Sequence, residues 1–387
     1  MLFIKNIIKI FGDILNRNIY RGLTLIKRLT GNRFNSEYFA DQITMRINRL
    51  IKNEFIPNPF EHLYIEVSNI CNLRCKFCAY SKSTTEKSIM SNEMFFNIVN
   101  SAINFGYDTF GLTPITGEVF VDRTFIEKLS FLEKNQKVKS YSFFTNFTLA
   151  NKEIIDWLIS AKKLNELYIS LYGHDFNSFS KFTGGNEKTY QNLISNLKYL
   201  LKYLLKRTKS IDFDLSFGLR TSLSFNSLDN CNSDLCKIIK AILKQPKSKI
   251  SINKTYYNWG GYITQDDVKD LDIIINDPLK YYKNGACSLI FYKNQVLVDG
   301  QVNACACRDV NITLKIGDLK TQSFEEIYST QNRDYMNIIK NQQKGKFNPI
   351  CTHCDFYRSI YKDYKVYHKY KKKQMGLKNF YQYLRKN

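Results

Sequence analysis

Ile70-Cys71-Asn72-Leu73-Arg74-Cys75-Lys76-Phe77-Cys78-Ala79-Tyr80 sets three cysteines at C-x3-C-x2-C spacing, directly after an apolar, strand-like run at 63–68. Three thiolates this close can converge on one iron–sulfur cluster. A four-iron cluster has four corners, so one iron is left without a protein ligand. An open iron can be chelated by the amino and carboxylate groups of a small molecule, a site that a fully ligated electron-transfer cluster lacks. Two plainer readings compete. A disulfide framework suits small secreted chains, whereas 387 residues can bury a core unaided and the sequence shows no signal peptide. A closed zinc site would need a fourth ligand and usually pairs its cysteines C-x2-C with a second pair elsewhere.

Outward from the loop, short apolar runs rich in β-branched and aromatic residues read as strands at 63–68, 109–113, 141–145, 167–171, 213–224 and 251–258. Stretches with helical period separate them, at 92–105, 124–134, 152–162, 190–205 and 228–243. Six such units imply an α/β fold with a parallel, barrel-like sheet. In barrels of this kind ligands gather at the carboxyl ends of the strands, and the cysteine loop follows the first strand.

The spacing of Cys71, Cys75 and Cys78, with Phe77 just before the last cysteine, resembles the signature of the radical S-adenosylmethionine (radical SAM) superfamily. The resemblance implies a partial (β/α)6 TIM-like barrel, in keeping with the six units counted above. It also implies S-adenosylmethionine on the open iron, cleaved by one electron to methionine and a 5′-deoxyadenosyl radical that takes hydrogen from substrate. A flavodoxin- or ferredoxin-type reductant would supply the electron.

Several loops resemble the family's cofactor contacts. Thr116-Gly117-Glu118, after the second strand, is similar to the GGEP loop that grips the methionine amino group, with Thr116 for the first glycine and Val119 for the proline. Gly117 lets backbone approach a ligand closely. Asn146 after the third strand and Ser170 in the fourth stand where relatives place polar contacts to ribose or carboxylate, although either is also an ordinary turn former. Arg220 on the fifth strand suits bidentate pairing with the S-adenosylmethionine carboxylate, with a solvent-facing arginine as the alternative. Trp259, in Asn258-Trp259-Gly260-Gly261, offers an aromatic face for adenine or packs in the core. Tyr80 resembles the position whose backbone contacts adenine. His174, Asp175 and Glu118 are candidate general bases by their place at loop ends.

Beyond residue 280 the pattern changes to Cys287, then Cys305 and Cys307, then Cys351-Thr352-His353-Cys354. Asp299-Gly300 between Val-rich segments reads as a tight hairpin turn. A hairpin plus a C-x2-C knuckle reads as a metal site, with four-cysteine zinc as the competing occupant. The pattern resembles the auxiliary-cluster domains called twitch and SPASM, and the shorter twitch form of the 2-deoxy-scyllo-inosamine dehydrogenase type implies one 4Fe–4S cluster on Cys287, Cys305, Cys351 and Cys354. Cys307 could replace Cys305 or remain a free thiol. Cys231 and Cys236 read as buried or idle.

The expected organisation is a helical extension at 1–60, the barrel at 61–275, the auxiliary domain at 276–360 and a solvated basic tail at 361–387 carrying Lys369, Lys371, Lys372 and Lys373. Phe3, Ile4, Ile7, Ile8, Phe11, Ile14 and Leu15 recur at helical spacing, followed by Arg17, Arg21, Lys27 and Arg28. Such a stripe suits either covering the barrel or peripheral contact with an anionic membrane. Ten cysteines without a secretory segment point to the cytoplasm. A formal charge of +22 favours anionic partners, including a phosphorylated small-molecule substrate. Nucleic acid is disfavoured because no binding motif accompanies the charge.

The functional expectation is a radical SAM oxidoreductase acting on a sugar, polyol or nucleotide-linked sugar, helped by one auxiliary cluster. A maturase of ribosomally made peptides and a non-catalytic electron carrier or redox sensor are the alternatives. The sequence does not speak to oligomeric state.

Overall fold

The strand-like runs fold into consecutive parallel neighbours, because each helix between them returns the chain to the same end of the sheet. In the computed structural model these are β1 (Leu63–Ile65), β2 (Thr109–Gly111), β3 (Ser140–Thr145), β4 (Leu164–Tyr172), β5 (Asp214–Arg220) and β6 (Ser248–Asn253), each hydrogen-bonded in parallel to the next. The structure describes residues 36–60, 62–206, 211–278, 281–362 and 374–386, with positions 18 and 22 besides. The amphipathic stripe at 3–15, the basic residues at 17–28 and the lysines at 369–373 lie outside the described residues. No helix among the described residues is long and apolar enough to cross a membrane.

Caps written in the sequence mark the helices. Ser91 accepts a hydrogen bond from the Met94 N–H to start α1 (Asn92–Phe105), and Gly106, at φ 117°, ends it. Asn151 caps α2 (Lys152–Ser160) in the same way. Several expected boundaries move, the sixth strand running 248–253 rather than 251–258 and the first ending at 65 rather than 68. The segment at 228–243 becomes helical only over α3 (Asp234–Ile242), where Ser233 caps the Cys236 N–H. The fifth strand stops at Arg220 rather than 224, since Thr221 N–H donates to Asn253 and Leu223 N–H to Asp272. Ile65, Phe110, Phe143, Ile169 and Phe217 are buried on the helix-facing side of the sheet, where Phe143 packs on Phe125 with ring centroids 5.2 Å apart, and the alternate residues Phe144, Tyr168, Ser170 and Arg220 face the interior.

The sheet does not stop at β1. Strand β7 (Gln295–Val296) pairs with β1 in parallel and continues antiparallel into β8 (Gln301–Asn303) and β9 (Lys315–Asp318), giving nine strands in one sheet. The Asp299–Gly300 hairpin is therefore welded to the barrel's first strand. Its turn closes through Gly300 N–H to the Leu297 carbonyl, with Gly300 at φ 86°.

The C-terminal segment departs from the solvated tail expected of it. Gln374–Met375 pairs with Ile56–Pro57, and the helix Leu377–Lys386 buries Phe380 and Leu384. Phe380 packs on Phe291, with ring centroids 4.8 Å apart, and beside Phe60 and Tyr335. The sequence signal was an apolar side chain every fourth position inside a lysine-rich stretch. The helix Ser36–Leu50 contacts the auxiliary region, where Arg49 donates to Asn284 and to the Gln343 carbonyl.

Candidate active site

The loop 71–78 leaves the end of β1 and is pinned on every side. Arg74 and Lys76 N–H groups donate to Thr183 and Phe182 carbonyls. Asn72 donates to Thr148 and accepts from Asn146. Phe77 is buried among Tyr172, Phe182 and Tyr256, with centroid distances of 4.8–5.9 Å. An aromatic before the last cysteine thus locks the loop onto the end of β4, the helix that follows it and the segment after β6. Tyr80 accepts the Cys71 N–H at its hydroxyl, and its ring carries Arg74 at 4.8 Å and Lys87 at 4.5 Å.

The loop after β2 is tethered just as closely. Its Ile115 N–H donates to Glu66, its Glu118 N–H to the Ile70 carbonyl, and its Thr113 carbonyl accepts from Gln295 of β7. Gly117 sits at φ 155°, and a Cβ there would stand 2.5 Å from the Ser68 carbonyl oxygen. That close approach explains the glycine.

A cavity of about 720 Å³ opens at the carboxyl ends of β2–β6. Tyr80, Thr116, Gly117, Glu118, Asn146, Ser170, Arg220 and Trp259 all line it, beside Cys71, Cys75 and Cys78. Their functional groups are not equally free. The Glu118 carboxylate is buried and accepts from the Thr145 hydroxyl and the Asn146 N–H, each at 2.6 Å, and from the Phe120 N–H. Burial pushes its pKa up to about 7. A carboxylate so occupied braces one loop against another, and its role as a general base loses its geometric basis. The Asn146 amide is likewise engaged with Asn72 and Thr148. Trp259 donates its ring N–H to the Phe77 carbonyl at 3.0 Å. His174 bonds Thr221 and stacks on Phe225, Asp175 caps a helix, and neither lines the cavity.

The second cysteine set converges through β7, β8 and the turn Pro349–Thr352. Gln342 accepts the Cys287 N–H and donates to the Cys351 sulfur. Phe356 N–H donates to Cys354, and Cys287 bridges Ser359. Cys305 and Cys307 are hydrogen-bonded neighbours in which Cys307 is the more acidic thiol, held so by the Cys305 S–H and by nearby Lys293, Arg308 and Arg358. Cys231 and Cys236, read as buried or idle, are joined as a disulfide that ties the buried first turn of α3 to the segment before it.

Asn258-Trp259-Gly260-Gly261 joins the two sets. Asn258 donates its side-chain amide to His353 and its N–H to Asp355, while Trp259 holds Phe77. Gly260 lies where a Cβ would meet Ile350 at 2.3 Å. The first three thiols resist ionisation: burial raises Cys71 to about 12, and Cys75 and Cys78 shift upward for the same reason. Burial likewise raises Cys287 to about 12 and Cys354 to about 11. Thiols gathered in two such sets are the donor chemistry that a polynuclear iron centre satisfies.

Sequence reasoning missed Tyr168, Tyr172, Tyr256, Tyr257 and Arg308 on the cavity wall. Arg308 carried a signal in its place beside Cys307, whereas the tyrosines read only as strand formers.

Comparison with known proteins accords with this architecture. The family model for the radical SAM superfamily matches residues 65–213, and that for the SPASM iron–sulfur cluster-binding domain matches 287–355. A protein of Sulfurisphaera tokodaii named "Probable GTP 3′,8-cyclase" is 21% identical over 268 residues, 64% of this chain and 82% of that protein. Among solved structures, Streptococcus suis SuiB bound to its precursor peptide SuiA aligns with a TM-score of 0.52 and 14% identity, over 87% of this chain and 79% of SuiB. BtrN in complex with AdoMet and 2-DOIA aligns with a TM-score of 0.48 and 14% identity, over 77% of this chain and 94% of BtrN. The chain belongs to the radical SAM superfamily, carries a C-terminal SPASM-type domain, and has 4Fe–4S clusters and S-adenosylmethionine as its cofactors.

Proposed function

We propose that this radical SAM enzyme oxidises a hydroxyl-bearing carbon of a small polar substrate, of the sugar, polyol or nucleotide-linked sugar class. The observation that carries the reading is the opening of Cys71, Cys75 and Cys78 into the cavity, with Arg308, the neighbour of Cys307, on the same wall and the Asn258–Gly261 turn joining the two cysteine sets. Cys71, Cys75 and Cys78 hold the open cluster, and Cys287, Cys305, Cys351 and Cys354 the auxiliary one. When bound, the open cluster with S-adenosylmethionine would supply hydrogen-abstracting radical chemistry, and the auxiliary cluster would supply an acceptor for the electron lost from the substrate with its proton.

The chain's own residues orient the reactants. The Arg220 guanidinium, half-buried at the end of β5 and 5.6 Å from the Tyr172 ring, pairs with the cofactor carboxylate. Ser170 presents a hydroxyl from β4, opposite Gly218, whose missing side chain leaves room for the Tyr168 ring. Trp259 and Tyr80 bound the adenine side. Tyr168, Tyr172 and Tyr256 narrow the cavity and exclude water. A flavodoxin- or ferredoxin-type carrier delivers the electron in the cytoplasm.

Peptide maturation is the second reading, favoured by the outer edge of β6, which pairs with no strand among the described residues and is exposed beside the cavity, so that an extended peptide could add to it as a strand. Metabolite profiles of cells with and without the gene, followed by assay of the accumulated compounds, test the choice. Turnover of a hydroxylated metabolite to a carbonyl product supports the first reading, whereas crosslinking of a precursor peptide without such turnover defeats it.

A further inference from the structure

Arg308 stands between the two cysteine sets. Its charge acts on Cys78 of the first and on Cys307 and Cys354 of the second, and it lines the same cavity as Arg220. Its side chain is 11% exposed. The guanidinium is held by rings, with Tyr257 at 4.0 Å, Phe356 at 4.5 Å and Trp259 at 5.3 Å from its central carbon. One terminal nitrogen donates to the Cys307 carbonyl. The Nε atom is buried and makes no hydrogen bond, and Asp355 approaches it only to 3.8 Å. Asp355 spends one oxygen on the Asn258 N–H. A planar cation is thus built rigidly into the wall, with a hydrogen-bonding edge incompletely used.

Burying a cation is costly without a well-placed anion. The cofactor brings a single carboxylate, and Arg220 at the opposite strand ends is placed for it. We infer that Arg308 binds an oxyanion of the substrate, a phosphate or a carboxylate, and so selects anionic members of the substrate class. This rests on the radical SAM reading of the same cavity. The rings keep the guanidinium plane fixed, so little side-chain entropy is lost when a bidentate anion docks. The reacting carbon is then held between the two cysteine sets, with its charged group on the auxiliary side.

The test uses the full chain with both clusters reconstituted and S-adenosylmethionine saturating, titrated calorimetrically with inorganic pyrophosphate and, separately, with succinate. At least one probe is expected to bind the wild type, and which one does so tells phosphate from carboxylate. Arg308→Gln should weaken that binding on the order of 30-fold or more, and Arg308→Lys should restore part of it. Affinity for S-adenosylmethionine should change by far less than affinity for the probe in both variants.

A measurement on the wild type needs no variant to fold: the bound probe should protect Arg308 from phenylglyoxal, read by mass spectrometry. The inference is overturned if neither probe binds, if Arg308→Gln binds as tightly as wild type, or if modification of Arg308 ignores the probe. Parallel loss of S-adenosylmethionine affinity overturns it as well, by assigning Arg308 to the cofactor. Absence of 5′-deoxyadenosine from the wild type is a separate outcome that strikes the radical SAM reading itself.

Discussion

Replacing Gly117 by alanine tests how the cofactor loop is held. The added Cβ would stand 2.5 Å from the Ser68 carbonyl oxygen and 3.2 Å from both Asn69 Cα and Pro114 Cβ. The nearest of these is backbone, so no rotamer change relieves the clash, and the chains must part by roughly 0.8 Å to reach ordinary C···O contact. The φ of 155° adds about 1–3 kcal/mol of strain for a residue with a side chain. Overpacking adds about 1–3 kcal/mol. Gly106 isolates the first effect, since it has φ 117° and nothing within 4 Å of its Cβ position. Anaerobic urea titrations should show Gly117→Ala less stable than Gly106→Ala by about 1–3 kcal/mol. The movement also disturbs the 2.8 Å hydrogen bond from Glu118 to Ile70, the residue before Cys71. S-adenosylmethionine binding should therefore weaken by roughly tenfold or more in Gly117→Ala alone. Equal stability of the two variants, with equal cofactor affinity, would refute the packing argument.

Three further outcomes follow from buried groups. Lys128 and Asp122 form a fully buried ion pair at 2.7 Å, so Lys128→Ala should cost about 3–5 kcal/mol in urea, because Asp122 is left unpaired. Glu66 is buried on β1's outgoing loop, and desolvation raises its pKa from 4.5 to about 7. The folded state therefore favours the protonated acid. Its contribution of about 3 kcal/mol is fully present below pH 4.5 and is lost as pH rises through 7. Glu118 shifts equally, so Glu66→Gln should roughly halve the decline in stability between those pH values rather than abolish it. Phe380→Ala should lower stability by about 3–5 kcal/mol, a loss that a solvated tail would not show.

The cysteine loop and the strand order were legible because both rest on short-range signals, spacing in one case and alternating period in the other. Long-range pairing was not. Nothing in Gln295–Val296 announces that it will join β1, since two residues carry no register until β8 and β9 support them. Site positions were likewise easier to read than site roles. Glu118 and Asn146 line the cavity, yet their polar groups are taken up by Thr145, Asn72 and Thr148, which no local pattern reveals. Arg308 was passed over because its importance lies in the rings of Tyr257, Trp259 and Phe356, about 50 residues away on either side in sequence.

The most direct test is anaerobic reconstitution with iron and sulfide, reduction with dithionite and addition of S-adenosylmethionine. Two clusters require about eight irons per chain, and 5′-deoxyadenosine should form in the wild type and vanish in Cys75→Ala while the auxiliary irons remain. Full iron loading with no 5′-deoxyadenosine, or undiminished formation in Cys75→Ala, would contradict the assignment of Cys71, Cys75 and Cys78 to the open cluster.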